Sequence, residues 1–239
     1  MTLGFTTSKR LTCFLATARS LVKKCEDLDL IREVILVDDD SSQADVAAMT
    51  LELEALFPDL PKLVILRQNY GQGLAPSAKL LFSLCAYPYL LYVQDDIQFT
   101  RQGPFVQHAL EIMAEFKQVK QVSFVLGTGY YSSNHGSVNP VHCRITASSG
   151  LRFYLWHWNG AQEHAHVWDT WPHFTYQPSV LKVADTVAAI GLPAQRSKSE
   201  HEYALRYAKA GLKTAFLLEP WCAPLDHVPS AFALYNADR

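Results

Sequence analysis

The chain has 239 residues, 49% of them hydrophobic and 12% aromatic, with a formal net charge of −2. That much apolar material excludes a disordered chain and supplies a substantial core. The near-balanced charge gives no general reason to expect nucleic acid or an anionic membrane as a partner. The five cysteines (Cys13, Cys25, Cys85, Cys143, Cys222) are odd in number, widely spaced and without a C-x-x-C pair. They read as reduced thiols in a cytosolic setting, in place of a disulfide frame or a zinc site.

In chain order, MTLGFTTSKR holds too little apolar sequence for a signal peptide. TLGFTT reads as a short strand, RLTCFLATARSLVKKC as a helix by its apolar spacing, and REVILVDDDSS as a buried strand running into acidic turn residues. QADVAAMTLELEALF is a helix with Ser41 or Ser42 as its N-cap. LVILRQN is a third strand, GLAPSAKLLFSLCA a third helix and YLLYVQDD a fourth strand. Strands this apolar, separated by helices, predict an α/β fold with a mostly parallel sheet covered by helices on both faces. The longest apolar stretch, FSLCAYPYLLYV, is broken by Pro88 and falls short of the ~20 residues of a membrane span. A soluble, cytoplasmic protein without a transmembrane segment is expected, peripheral membrane association being left open.

Further on, PFVQHALEIMAEFKQV reads as a helix and VSFVLGTG as a strand. A long irregular region follows, from Tyr130 to His173. Regular structure resumes at SVLKVADTVAAIG, then a helix over SEHEYALRYAKAG, a strand over KTAFL and a tail, PLDHVPSAFALYN. No repeat, low-complexity tract or linker divides the chain, so one domain is expected over residues 1–239. Residues 1–99 would form a nucleotide-binding half and residues 100–239 an acceptor-binding half.

Ligands of parallel sheets bind outside the carboxyl ends of the strands, and two acidic clusters fall there: Asp38, Asp39 and Asp40, then Asp95 and Asp96. Such carboxylates either accept hydrogen bonds from a base or ribose, ligate a hard cation such as Mg²⁺ or Mn²⁺, or simply cap the next turn. The stretch after the first strand, TTSKRLT, has no glycine, so the dinucleotide fingerprint is absent, and no Walker A loop occurs. Lys79 either reaches a phosphate or is a solvated helix lysine. Trp156, Trp158, Trp168 and Trp171 lie among His157, His164, His166 and His173. These rings either face sugar C–H groups, with indole and imidazole N–H groups on hydroxyls, or belong to the core. His164 and His166 lack a third zinc ligand at a recognised spacing.

TTSKRLTCF, VILVDDDSSQAD, NYGQGLAPSAK, YLLYVQDDIQF and SEHEYALRYAKAGLKTAFL stand in the order of a GT-A type nucleotide-sugar glycosyltransferase, and the chain resembles that family over nearly its whole length. The resemblance implies a single GT-A (Rossmann-like) domain that moves a sugar from a nucleotide-diphosphate donor, UDP being favoured, to an acceptor hydroxyl. VDDDSS is similar to the family's V-D-D-G/N-S strand end, so Asp38 and Asp39 would contact uracil or ribose, with Asp40 where Gly or Asn is usual. VQDDIQF resembles the D-x-D or E-D-D metal motif. Asp96 would ligate Mn²⁺ or Mg²⁺, Asp95 stands beside it, and Gln94 replaces an acidic residue. Thr6, Thr7, Lys9, Arg10, Asn69, Gly71, Lys79 and Gln94 would lie with Asp95 near the nucleotide. In SEHEYALRYAKAG, counting back from Arg206 puts the general base of an inverting enzyme at Glu200, with Glu202 as an acceptor contact or second choice. His227 stands where a late histidine helps hold the metal, and Trp156, Trp158, Trp168, Trp171 and His173 would face a glycan or other hydroxyl-bearing acceptor. Two alternatives share the fold: a sugar nucleotidyltransferase, and a degenerate sugar-binding module.

Overall fold

The computed structural model describes residues 1–59, 62–68, 71–125, 141–157, 174–194 and 199–225. Eleven strands and six α-helices are described. They are β1 (Thr2–Thr7), α1 (Leu11–Lys24), β2 (Glu33–Asp39), α2 (Gln43–Leu56), β3 (Leu63–Gln68), α3 (Leu74–Leu84), β4 (Leu90–Gln94), β5 (Ile97–Phe99), α4 (Phe105–Glu115), β6 (Val119–Ser123), β7 (Val141–Thr146), β8 (Arg152–His157), β9 (Ser179–Leu181), α5 (Val183–Ile190), α6 (Ser199–Lys209), β10 (Lys213–Leu217) and β11 (Cys222–Pro224).

The main sheet has the order β3-β2-β1-β4-β9-β6-β10-β8-β7, and β5 pairs with β11 in a small second sheet. Strands β3, β2, β1, β4, β6, β10 and β7 run one way, β9 and β8 the other. The mostly parallel sheet expected from the sequence is therefore present, with two reversed strands that apolar runs alone do not reveal. One face is covered by α1, α2 and α4, whose Phe14, Leu53 and Phe105 join Leu3, Phe5, Leu36 and Val93 in one core. On the other face, α3, α5 and α6 bring Leu81, Val183, Tyr203 and Tyr207 against Ile35, Val37 and Tyr92. The close approach of α3 depends on Gly4, where a Cβ would meet Leu81 and Leu90 at 2.7–2.8 Å.

Two expectations are corrected and one alternative is resolved. Tyr130 to His173 is not wholly irregular, because β7 and β8 form an antiparallel pair within it. Helix α4 stops at Glu115, and the next strand runs from Val119 to Ser123, earlier than the VSFVLGTG reading. Of the two serines, Ser42 is the cap of α2, accepting the Asp45 N–H at 3.0 Å, while Ser41 is buried and its hydroxyl accepts from the Lys9 N–H instead.

Strand β9 decides how the carboxyl edge of the sheet is furnished. It lies antiparallel between β4 and β6, with Ser179 opposite both Tyr92 and Ser123. Its N-terminal side therefore meets the carboxyl edges of β4 and β6, carrying residues 174–177 there.

Candidate active site

The register sets Thr7 opposite Asp38 and Thr6 opposite Gln94, so the ends of β1, β2 and β4 converge. Strand β4 ends at Gln94, and Asp95 and Asp96 form the turn into β5. The turn is tied to its surroundings through Asp95. Its side chain is 1% exposed, its Oδ2 accepts from the Thr7 hydroxyl at 2.7 Å and the Ser8 N–H at 3.3 Å, and its carbonyl accepts from Thr17 Oγ1 at 2.9 Å.

Arg10 is the partner that the two adjacent carboxylates require. It stands at the N-cap of α1 with only 8% of its side chain exposed. Its Nε and Nη2 reach the two oxygens of Asp95, and Nη1 reaches Asp96 Oδ2 at 3.2 Å. Burial alone would depress the guanidinium, but the two carboxylates outweigh it and keep it protonated. Burial pushes the Asp95 carboxyl up to about 6 against the pull of Arg10. Asp96 differs from its neighbour, with 30% of its side chain exposed and Arg10 on one oxygen only. It opens onto a cavity of about 80 Å³ lined also by Gln94, Ile97, Val125, Gln177 and Pro224.

The strand end of β2 is locked to that of β1. Ser8 Oγ donates to the Asp39 carbonyl at 2.8 Å, and the Lys9 N–H to Ser41 Oγ at 2.8 Å. Lys9 and Asp40 both have positive φ (56° and 72°), and their side chains pair at 2.9 Å. A left-handed backbone explains a position suited to Gly or Asn; Asp is among the side chains that tolerate it. Asp39 accepts from the backbone N–H groups of Gln72 at 2.7 Å and Gly73 at 2.6 Å, capping α3 from outside. Asp38 is fully buried. Its Oδ2 accepts from the Ser41 N–H at 3.0 Å, while Oδ1 has no hydrogen-bond partner among the described residues. Burial raises its carboxyl above the ordinary range, against the hydrogen bonds of Ser41. A buried acceptor left open in this way calls for a donor.

Glu200 reaches the same edge from α6. Glu200, Tyr203, Ala204 and Tyr207 share one helix face by their 3–4 spacing, and the last three are fully buried. Glu202 lies off that face and is exposed. The helix is fixed by Arg206, whose guanidinium donates to the carbonyls of Ile190 at 2.8 Å and Leu192 at 3.3 Å. Glu200 Oε1 accepts from the Tyr176 N–H at 2.9 Å and the Thr175 hydroxyl at 3.4 Å, and Oε2 has no hydrogen-bond partner among the described residues. Burial pushes its carboxyl above the ordinary 4.5, and those two donors pull it back. The buried Tyr92 hydroxyl, 2.9 Å from Thr6 Oγ1, feels the negative charge of Glu200, Asp95 and Asp96 together.

The structure thus brings together Thr6, Thr7, Lys9, Arg10, Asp38, Asp39, Gln94, Asp95, Asp96 and Glu200. Thr6 and Thr7, each 4% exposed, bond Tyr92 and Asp95 and belong to the scaffold. Gly71, with φ 50°, lies in the loop before the Asp39-capped end of α3. Lys79 is half-buried on α3, with no ion pair among the described residues. Trp156 lies in β8 opposite His142. Asn69, Trp158, Trp168, Trp171, His173 and His227 lie outside the described residues. Gln177 is a cavity-lining residue that sequence reasoning missed. It is a lone amide before Pro178, and only the reversed strand β9 brings it to Asp96.

Among the described residues no group of three or more His, Cys, Asp or Glu side chains is placed to hold a metal. The residues lining the cavity nevertheless include the Asp96 carboxylate and the amides of Gln94 and Gln177, whose oxygens are of the hard type that Mg²⁺ and Mn²⁺ prefer. They fit a cation whose remaining ligands come from a bound phosphate.

No protein-family model matches the sequence, and no curated protein matches it. Solved structures do match its fold. The mannosyltransferase PcManGT from Pyrobaculum calidifontis, in complex with GDP-Man and Mn²⁺, is 14% identical, with a TM-score of 0.65 over 97% of this chain and 58% of that one. S. aureus TarS 1–349 in complex with UDP-GlcNAc is 12% identical, with a TM-score of 0.60 over 96% of this chain and 60% of that one. GalNAc-T7 with UDP, GalNAc and Mn²⁺ is 12% identical, with a TM-score of 0.60 over 95% and 44%. The chain spans at most three fifths of these structures. Their likeness establishes the GT-A fold expected from the sequence.

Proposed function

We propose that this chain is a nucleotide-sugar glycosyltransferase, carrying a sugar from a nucleoside-diphosphate donor to an acceptor hydroxyl. The observation that carries this reading is the convergence of three incompletely satisfied carboxylates on one sheet edge: Asp38 Oδ1, Asp96 and Glu200 Oε2. Sites of open α/β sheets lie at that edge, and structures of the same fold were solved with GDP-Man, UDP-GlcNAc or UDP bound.

Each carboxylate has a separate task in this reading. Asp38 accepts an N–H of the base, uracil being favoured, and the Lys9–Asp40 pair borders the nucleotide. Asp96, with the amides of Gln94 and Gln177 and with His227, holds Mn²⁺ or Mg²⁺, and this cation supplies positive charge against the departing diphosphate. Arg10 keeps Asp95 ionised and the turn rigid, leaving Asp96 as the carboxylate of this pair that faces the cation. Glu200 is the general base. One oxygen is anchored by Tyr176 and Thr175, so the other is free to take the acceptor's proton as the hydroxyl attacks the anomeric carbon in line, with inversion. The first 99 residues serve the donor and the remainder the acceptor, where Trp156, Trp158, Trp168, Trp171 and His173 would meet its sugar faces.

The test is nucleotide release from UDP-GlcNAc and GDP-mannose with and without Mn²⁺. Release that needs the cation and is abolished by Asp96→Ala supports the transferase. A donor-dependent rise in melting temperature without turnover points to the sugar-binding module. Neither release nor a thermal shift with any donor overturns the reading.

A further inference from the structure

The segment that holds Glu200 is itself held by one buried amide. Gln121 in β6 is 1% exposed. Its Nε2 donates to the Thr175 carbonyl at 2.6 Å and to Ser179 Oγ at 3.0 Å, and its Oε1 accepts from the Thr175 N–H at 3.2 Å and the Thr214 hydroxyl at 3.0 Å. An amide has two N–H groups and two acceptor lone pairs, and all four are used. Both backbone groups of Thr175 therefore end on a single side chain, as they would on a neighbouring strand. The segment lies ahead of β9, which begins only at Ser179, so ladder pairing does not fix residues 175 and 176.

Everything this segment carries bears on the site. The Tyr176 N–H and Thr175 hydroxyl bond Glu200 Oε1, and Gln177, whose N–H donates to Thr175 Oγ1 at 3.2 Å, lines the cavity beside Asp96. An apolar residue at 121 would suit a strand whose Val119 and Val122 are wholly buried. It would also leave the Thr175 N–H and carbonyl unpaired in the interior, which the fold would relieve by moving the segment.

We propose that Gln121 is a positioning residue for the reaction, fixing Glu200 and the Gln177 wall of the cavity through Thr175. This rests on the reading of Glu200 as the base. Gln121 touches neither donor nor acceptor, and acts by setting where the Glu200 carboxylate stands. A displacement of ~1 Å at a reacting group costs up to ~100-fold in rate.

Two measurements test it. By NMR on the free protein, Glu200→Gln is expected to move the Tyr176 amide resonance in the unaltered background and to leave it unmoved in a Gln121→Met background. In UDP-GlcNAc hydrolysis with Mn²⁺, Gln121→Met is expected to lower kcat by ~10- to 100-fold. Thr214→Val, which frees the same amide from β10 but leaves its clasp on Thr175, should retain both the resonance response and kcat. Gln121→Glu replaces the methionine variant should that fail to fold, since it keeps the shape and loses a donor. An equal Tyr176 response in both backgrounds, or an equal loss of kcat in Thr214→Val, overturns the proposal. Loss of the response without turnover in any variant upholds the link from Gln121 to Glu200 and counts against the transferase reading alone.

Discussion

Replacing Arg10 by methionine isolates the contact that makes the two adjacent aspartates tolerable. Asp95 is 1% exposed and Arg10 8%, so neither charge is compensated by water. Removing one partner of a buried pair costs about 3–5 kcal/mol, because the other charge stays behind. Asp95 keeps the Thr7 hydroxyl and the Ser8 N–H, which places the loss near the lower end, about 3 kcal/mol. For a chain of this length, that corresponds to a fall in melting temperature of ~6–12 °C. Urea denaturation of Arg10→Met, Asp95→Asn and the double variant measures the coupling directly. The double variant is expected to lose only about 1–1.5 kcal/mol, since a neutral amide at 95 needs no counter-charge. A double variant at least as unstable as Arg10→Met would refute the reasoning, since the arginine would then act by packing and not by charge.

Asp40→Gly should leave stability nearly unchanged, relief of the left-handed backbone offsetting loss of the exposed pair with Lys9, whereas Asp40→Val should cost about 1–2 kcal/mol in the same denaturation assay. Glu33 lies wholly buried at the opposite edge of the sheet, bonded by Lys62, the Thr2 hydroxyl at 2.7 Å and the Ala86 N–H at 3.1 Å. Burial works against its charged form, but these partners prevail and hold its carboxyl below 4.5. Its contribution is therefore present above the unfolded value and lost as pH falls through the lower folded one, so Glu33→Gln should flatten the acid limb of a stability–pH curve. In its proposed role as base Glu200 must be deprotonated, and its raised pKa then predicts turnover that declines with acid from a point above 4.5. Glu200→Gln should lower kcat by about 10²- to 10⁴-fold and remove that limb, while the exposed Glu202→Gln should change little.

The pattern of residues was enough to determine the α/β alternation and the edge of the sheet that carries the acidic clusters. Apolar runs such as VILV and LLYV mark buried strands whatever their neighbours do, and aspartates that follow them must lie at strand ends. The resemblance singled out Glu200, and the structure places it on the same face of α6 as the buried Tyr203, Ala204 and Tyr207, with Glu202 off that face. Tertiary structure decided the rest. Strand direction has no signature in a three-residue strand such as β9, yet its reversal brings Thr175, Tyr176 and Gln177 to the site. Nor does an isolated polar letter announce its partner. Arg10 meets carboxylates 85 and 86 residues away, and Gln121 clasps a backbone 54 residues away. Local propensity fixes the elements, while the pairing of buried charges and amides depends on long-range closure of the sheet, and that closure determines which aspartate is spent on the scaffold and which remains open to a ligand.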